Sequence, residues 1–249
     1  MSEVEWLAAT DPTPMLEFLK GKSSDRKLRL FAVACCRRVM HLMEDERSQR
    51  TIEVSERYAD NLCSKAEVMK ASRRAKQAWE LLDRQTNGAF KHPGSRWAMR
   101  ATATLHVRLM PMHIVRFVAN AFGEISAAEF LQEAAKTSNE AYQVAIGYRH
   151  YGPAFDAAAA GEKQTLSHSA RCIFGNPFRP VTLEPSWLTS TVLTLAEGIY
   201  AERAFDRVPI LADALQDAGC ENPDVLDHCR SETVHTRGCW ALDLLLGKS

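Results

Sequence analysis

The sequence predicts an all-α protein, a multi-helix bundle or a stack of helical hairpins that closes with a compact C-terminal helical bundle. Three observations predict it. Apolar residues recur at three- and four-residue spacing, as in Leu28, Phe31, Ala32, Cys35, Val39 and Leu42. Capping residues and stop signals punctuate the chain from end to end. The alternating apolar and polar runs that a half-buried strand needs are nearly absent. With 46% hydrophobic and 25% charged residues, the composition excludes a disordered or fibrous class. At 249 residues the chain can bury a sizeable core, as one continuous assembly with two parts.

Taken in order, Asp11-Pro12-Thr13-Pro14 opens a short helix carrying Met15, Leu16, Phe18 and Leu19, which Gly21 ends. Ser24 caps the next helix. Because Leu30, Val33 and Ala34 fill the side opposite Leu28 and Phe31, its middle should be buried nearly all round. Two more helices follow, over about residues 48–63 and 65–82, before a loop from Asn87-Gly88 to Pro93-Gly94. Ser95 caps a helix that Pro111 bends or interrupts, since proline lacks the amide donor. Ser126 with Glu129 forms a capping box. Residues 147–161 read as a looser region, with an aromatic loop at Tyr148-Arg149-His150-Tyr151 and a short helical filler at residues 157–160.

Gly175-Asn176-Pro177 and Arg179-Pro180 force an extended path, because a residue before proline is pushed away from helical torsions. This is the expected joint between an N-terminal helical region, residues 1–170, and a C-terminal bundle, residues 175–249. In the bundle, Ser186 is expected to cap a helix with Trp187, Leu188, Val192, Leu195 and Ile199. Asp206 is expected to cap the next, which has Pro209 in its first turn and stops at Gly219. Asn222-Pro223 opens a third, and a fourth runs from Arg237 through Trp240, Leu244 and Leu245 to Gly247. No repeat of fixed period is present in the sequence.

The compartment follows from the ends and the cysteines. Met1-Ser2-Glu3-Val4-Glu5-Trp6 has acid where a secretory signal needs base. The longest apolar run, Leu30 to Cys36, is far short of the roughly 20 residues that span a bilayer, so no membrane association is expected. Seven cysteines is an odd number, and Cys35 and Cys36 diverge by about 100° on a helix, which suits packing rather than pairing. Reduced thiols in the cytoplasm are the expectation.

Several strings resemble an uncharacterised family of bacterial proteins. They are Glu5-Trp6-Leu7 with Thr10-Asp11-Pro12, residues 25–32 with Cys35-Cys36-Arg37-Arg38, residues 175–181, residues 206–215, and the final block from His235 through Arg237-Gly238-Cys239-Trp240 to Lys248. The resemblance covers roughly residues 1–60 and 170–249. It implies a self-standing protein and brings no activity, substrate or catalytic residue.

Two constellations invite a chemical reading. Cys220, His228, Cys229, His235 and Cys239 cluster near the C-terminus, and His235-x3-Cys239 can share one face at a helix start. The spacing from Cys220 to His228 is far longer than the familiar zinc patterns use, and no Cys-x2-Cys anchors it. Ordinary packing is therefore expected, with no metal and no cofactor. Charge is uneven as well. Residues 65–116 hold 11 basic against 3 acidic side chains, a net of +8, whereas residues 181–249 hold 5 against 11, a net of −6. Arg96, Arg100 and Arg108 fall at multiples of four and make one stripe, which offers phosphate or the acidic C-terminal part a binding face.

Nucleophilic catalysis finds little footing. Ser167-His168-Ser169 lacks a nucleophile elbow, Cys172 lies one helical turn from His168 without an orienting group, and His106 and His113 simply flank Pro111. No Walker or Gly-x-Gly-x-x-Gly sequence serves a nucleotide. The expected function is a non-enzymatic helical protein-interaction module, an adaptor or regulator, with an unidentified protein partner. Its surface centres on Asn176, Arg179, His235, Arg237 and Trp240. The alternative is nucleic-acid binding through residues 65–116, and a third reading is a cysteine- or metal-dependent enzyme.

Overall fold

The computed structural model describes residues 1–38, 40–43, 45–87 and 153–248. Arg96, Arg100, Arg108, His106, His113 and the capping box at Ser126 lie outside these residues. The described elements are helices and 3-10 turns, so the fold is all-α. By its contacts the chain forms two units, Thr10–Leu166 and Met1–Ala9 with Ser167–Ser249.

The first unit begins with α2 (Pro12–Leu19), where the Asp11 carboxylate accepts from the Thr13 N–H. In α3 (Asp25–Arg38) the Ser24 hydroxyl accepts from Lys27 N–H, and Leu30 to Cys36 are all buried, as all-round apolar character requires. Burial pushes the Cys35 and Cys36 thiols far up, so they stay protonated and fill space. A 3-10 turn over Met40–Leu42 leads to α4 (Glu46–Ala59), which packs against both α3 and α5 (Lys65–Asn87). The helix α4 starts at Glu46, slightly before the expected start near residue 48, because the Asp45 carboxylate caps it and meets both the Arg47 N–H and its guanidinium. The last helix to begin in this unit, α6, runs Pro153–Phe174. The helical filler expected at residues 157–160 is thus part of a longer helix that also takes in residues 153–156, expected to be loose. Four alanines with high helix propensity outweigh the cost of Gly161, about 1 kcal/mol.

Three ion pairs hold distant parts of this unit together. Arg26 binds Asp60, Arg37 binds Glu56, and Arg38 binds Glu162 through two hydrogen bonds of 2.8 and 2.6 Å. In each pair the carboxylate is buried and the arginine half-buried, the geometry in which a guanidinium fork does most.

The second unit starts with α1 (Glu3–Ala8), closed by a Ser2/Glu5 capping box. Its Trp6 is fully buried and donates from Nε1 to the Gly175 carbonyl at 3.1 Å, while the Arg171 guanidinium donates to the Trp6 and Ala9 carbonyls. After Gly175 the chain runs extended to a 3-10 turn at Pro185–Trp187. The next helix, α7 (Ser190–Glu202), is capped by Thr189, whose hydroxyl accepts from Val192 N–H, and not by Ser186, because Pro185 opens the 3-10 turn first. Similarly, Asp206 sits inside a 3-10 turn (Phe205–Arg207) and leaves α8 (Val208–Asp217) without a side-chain cap. At its end, Cys220 N–H reaches the Leu215 carbonyl and Gly219 N–H the Gln216 carbonyl, a Schellman closure. Asn222 caps α9 (Pro223–Arg230), and α10 spans Trp240–Leu245, starting three residues later than expected. Helices α7 to α10 enclose a core that includes Trp187, Val192, Ile199, Leu211, Leu215, Val225 and Leu242. This is the compact C-terminal bundle.

Candidate functional site

The loop between α9 and α10 bends back on itself through a turn closed by Cys239 N–H to the Thr236 carbonyl at 2.9 Å. Gly238, at the third position of that turn, takes φ +88°, the sign a type II turn demands there. The bend aims His235 and Cys239 at the same point. His228 arrives from α9, and Cys172 from the last turn and a half of α6. One donor atom from each of these four side chains lies within 4.8 Å of every other.

Individual distances define the cluster. His228 Nε2 lies 3.2 Å from Cys239 Sγ, and His235 Nδ1 lies 3.8 Å from Cys172 Sγ and 3.9 Å from Cys239 Sγ. The two imidazole rings meet edge to face with centroids 4.9 Å apart, and Trp240 lies over His228 at 5.1 Å. Cys172, His235 and Cys239 are buried and His228 is half-buried. Although burial opposes it, the Cys239 thiol is held well below its ordinary range, by the hydrogen bond from Cys172, the charge of His228, and hydrogen bonds from both histidines. The other imidazole nitrogen of His235, Nε2, is buried with no hydrogen-bond partner.

The grouping corrects the sequence-based one in its members. Cys229 neighbours His228 on a helix, so its side chain diverges by about 100°, and burial raises its thiol. Cys220 packs into the bundle core behind Gly219. Neither belongs to the four. Cys172, weighed as a nucleophile beside His168, instead faces His235 and Cys239 from 63 and more residues away in sequence. No local spacing could have announced it. The signal that pointed in the right direction was His235-x3-Cys239.

The expected interaction residues divide. His235 is only 5% exposed and is turned into the cluster, so it does not belong to a surface. Asn176 is structural: its amide donates to Glu3 at 2.7 Å and its oxygen accepts from Phe178 N–H, fixing the loop after Gly175. Arg179 is exposed and pairs with Glu3 at 2.6 Å. Arg237 lies over the Tyr200 ring at 4.5 Å, and Trp240 is half-buried against Gly175.

In the other unit, a groove of about 520 Å³ between α4 and α5 is lined by Arg47, Arg50, Lys70 and Arg74 together with Glu46, Glu53 and Glu67. It is open and of mixed charge. Among the described residues no helix is long and apolar enough to cross a membrane. All seven cysteines are free. Comparison with known proteins finds no matching family model, no matching curated protein and no matching solved structure, so the geometry alone carries the functional reading.

Proposed function

We propose that this chain is a non-enzymatic helical module, an adaptor or regulator in the reducing cytoplasm, that works by docking a partner protein with a basic surface. The observation that carries this reading is the face of α1. Trp6, the capping box and Arg171 anchor that helix firmly, yet Val4 and Leu7, one turn apart, are 76% and 51% exposed. Glu3 and Arg179 border them with an ion pair. An apolar centre with a polar rim on a rigid support has the anatomy of an interface. The net charge of −6 over residues 181–249 favours a basic partner. The thiols support a non-catalytic role, since Cys172 is 1% exposed and its sulfur faces two other buried donors, leaving a substrate no approach.

Affinity purification from the native cell at low and high salt, with mass spectrometry and a nuclease control, tests it. The wild-type chain should capture a basic protein that survives nuclease, and a Val4→Asp, Leu7→Asp double variant should lose it. Equal capture by both, or measurable turnover with no partner, would remove the proposal.

A second reading, nucleic-acid binding, is favoured by one observation: Lys70, Arg73, Arg74 and Lys76 are all exposed on α5. Oligonucleotide anisotropy should then fall steeply between about 50 and 200 mM salt as counterions are released. A fourfold alanine variant binding as well as wild type would dismiss it.

A further inference from the structure

Two sulfurs and two imidazole nitrogens, three of the four side chains buried, converge on one point, a donor set of the type and number that a metal ion orders. We propose that Cys172, His228, His235 and Cys239 bind one zinc ion as a closed, tetrahedral Cys2His2 site, a structural centre independent of the partner proposed for α1.

The chemistry fits in donor type, number and spacing. Zinc takes two sulfurs and two nitrogens at about 2.3 and 2.0 Å, which places a nitrogen and a sulfur about 3.5 Å apart around a tetrahedron. Three of the four such separations in the cluster, His228–Cys239, His235–Cys172 and His235–Cys239, are 3.2, 3.8 and 3.9 Å, bracketing that value. All four donors lie within 4.8 Å of one another. Charge balances too. On binding, the two cysteines give up their protons to solvent, and a divalent ion with two thiolates and two neutral imidazoles is a neutral group, the form a buried site tolerates. With four protein donors no position is left for water or substrate, so the centre is structural, not catalytic. It ties the end of α6, α9 and the start of α10 to one point.

The test uses the full chain. After exhaustive dialysis, elemental analysis should return one zinc per chain. Exchange for cobalt(II) should give the intense visible bands of a tetrahedral ion and near-ultraviolet absorption from thiolate ligation. His228→Ala and Cys172→Ser should lose both, whereas Cys220→Ser should keep them. Since Cys172 is buried and its variant can fail to fold, the half-buried His228 carries the decisive pair: His228→Cys restores a zinc-competent Cys3His set and should retain tetrahedral cobalt where His228→Ala does not. A chain that folds fully by circular dichroism yet takes up no cobalt overturns the assignment. So does a cobalt spectrum unaffected by His228→Ala.

Discussion

At Gly175 the backbone takes φ +69°, and a β-carbon built there would stand 3.1 Å from Cγ of Trp240. Both facts oppose any side chain, since an L-residue in left-handed torsions costs about 1–2 kcal/mol and the indole must also give way. Gly175→Ala should therefore destabilise the unit containing residues 167–248 by about 2 kcal/mol, read as a shift in denaturant midpoint at unchanged slope. Trp6 supplies the other side of this contact through its hydrogen bond to the Gly175 carbonyl. Trp6→Ala should cost about 3–5 kcal/mol, the range for emptying an aromatic site in a core. A loss below about 1 kcal/mol would show that α1 is not anchored as described. At this scale the sequence was only partly legible. Gly175 announced itself through its prolines, but as a joint rather than as a seat for Trp240. Trp6 carried no such mark, because burial of one tryptophan is a tertiary fact.

Among the elements, most helix starts could be read because a cap is local chemistry. Asp11, Ser24 and Asn222 accept the amides that their positions predict. The misreading of Ser186 for Thr189 set two cap-competent residues three apart in competition. A neighbour decided it, because Pro185 opens a 3-10 turn ahead of the helix. Asp45→Ala should cost about 1 kcal/mol, as loss of a side-chain cap does. The Asp45 carboxyl is held below its ordinary range, chiefly by the hydrogen bond from Arg47. For Asp11, burial pushes upward but the hydrogen bonds from Lys163 and Thr13 prevail, and its carboxyl too is lowered. In the unfolded chain both groups titrate near about 3.9, and in the folded protein lower. Their stabilisation is present above that value and is lost as pH falls through the folded one. Thermal melts between pH 6 and 2 should fall off below about pH 4, and less steeply in Asp45→Asn. An identical pH profile for that variant would contradict the role given to Asp45.

Across the whole molecule, what holds the units is set by residues far apart in the chain. Arg38 and Glu162 are 124 residues apart, yet the Glu162 carboxylate is 1% exposed and takes both arms of one guanidinium. Arg38→Ala removes both of these hydrogen bonds from a buried carboxylate and should cost about 3–5 kcal/mol by chemical denaturation, whereas Arg29→Ala, whose partner Asp25 is exposed, should cost under about 1. The all-α class was legible because helical periodicity is local. The metal centre was not, because Cys172 joins His228, His235 and Cys239 only once α6 and the C-terminal bundle have packed. Zinc K-edge absorption on the purified full chain tests the centre most directly. Two sulfurs near about 2.3 Å and two nitrogens near about 2.0 Å are expected. A shell of oxygens, or of four sulfurs drawing in Cys220 and Cys229, would contradict it.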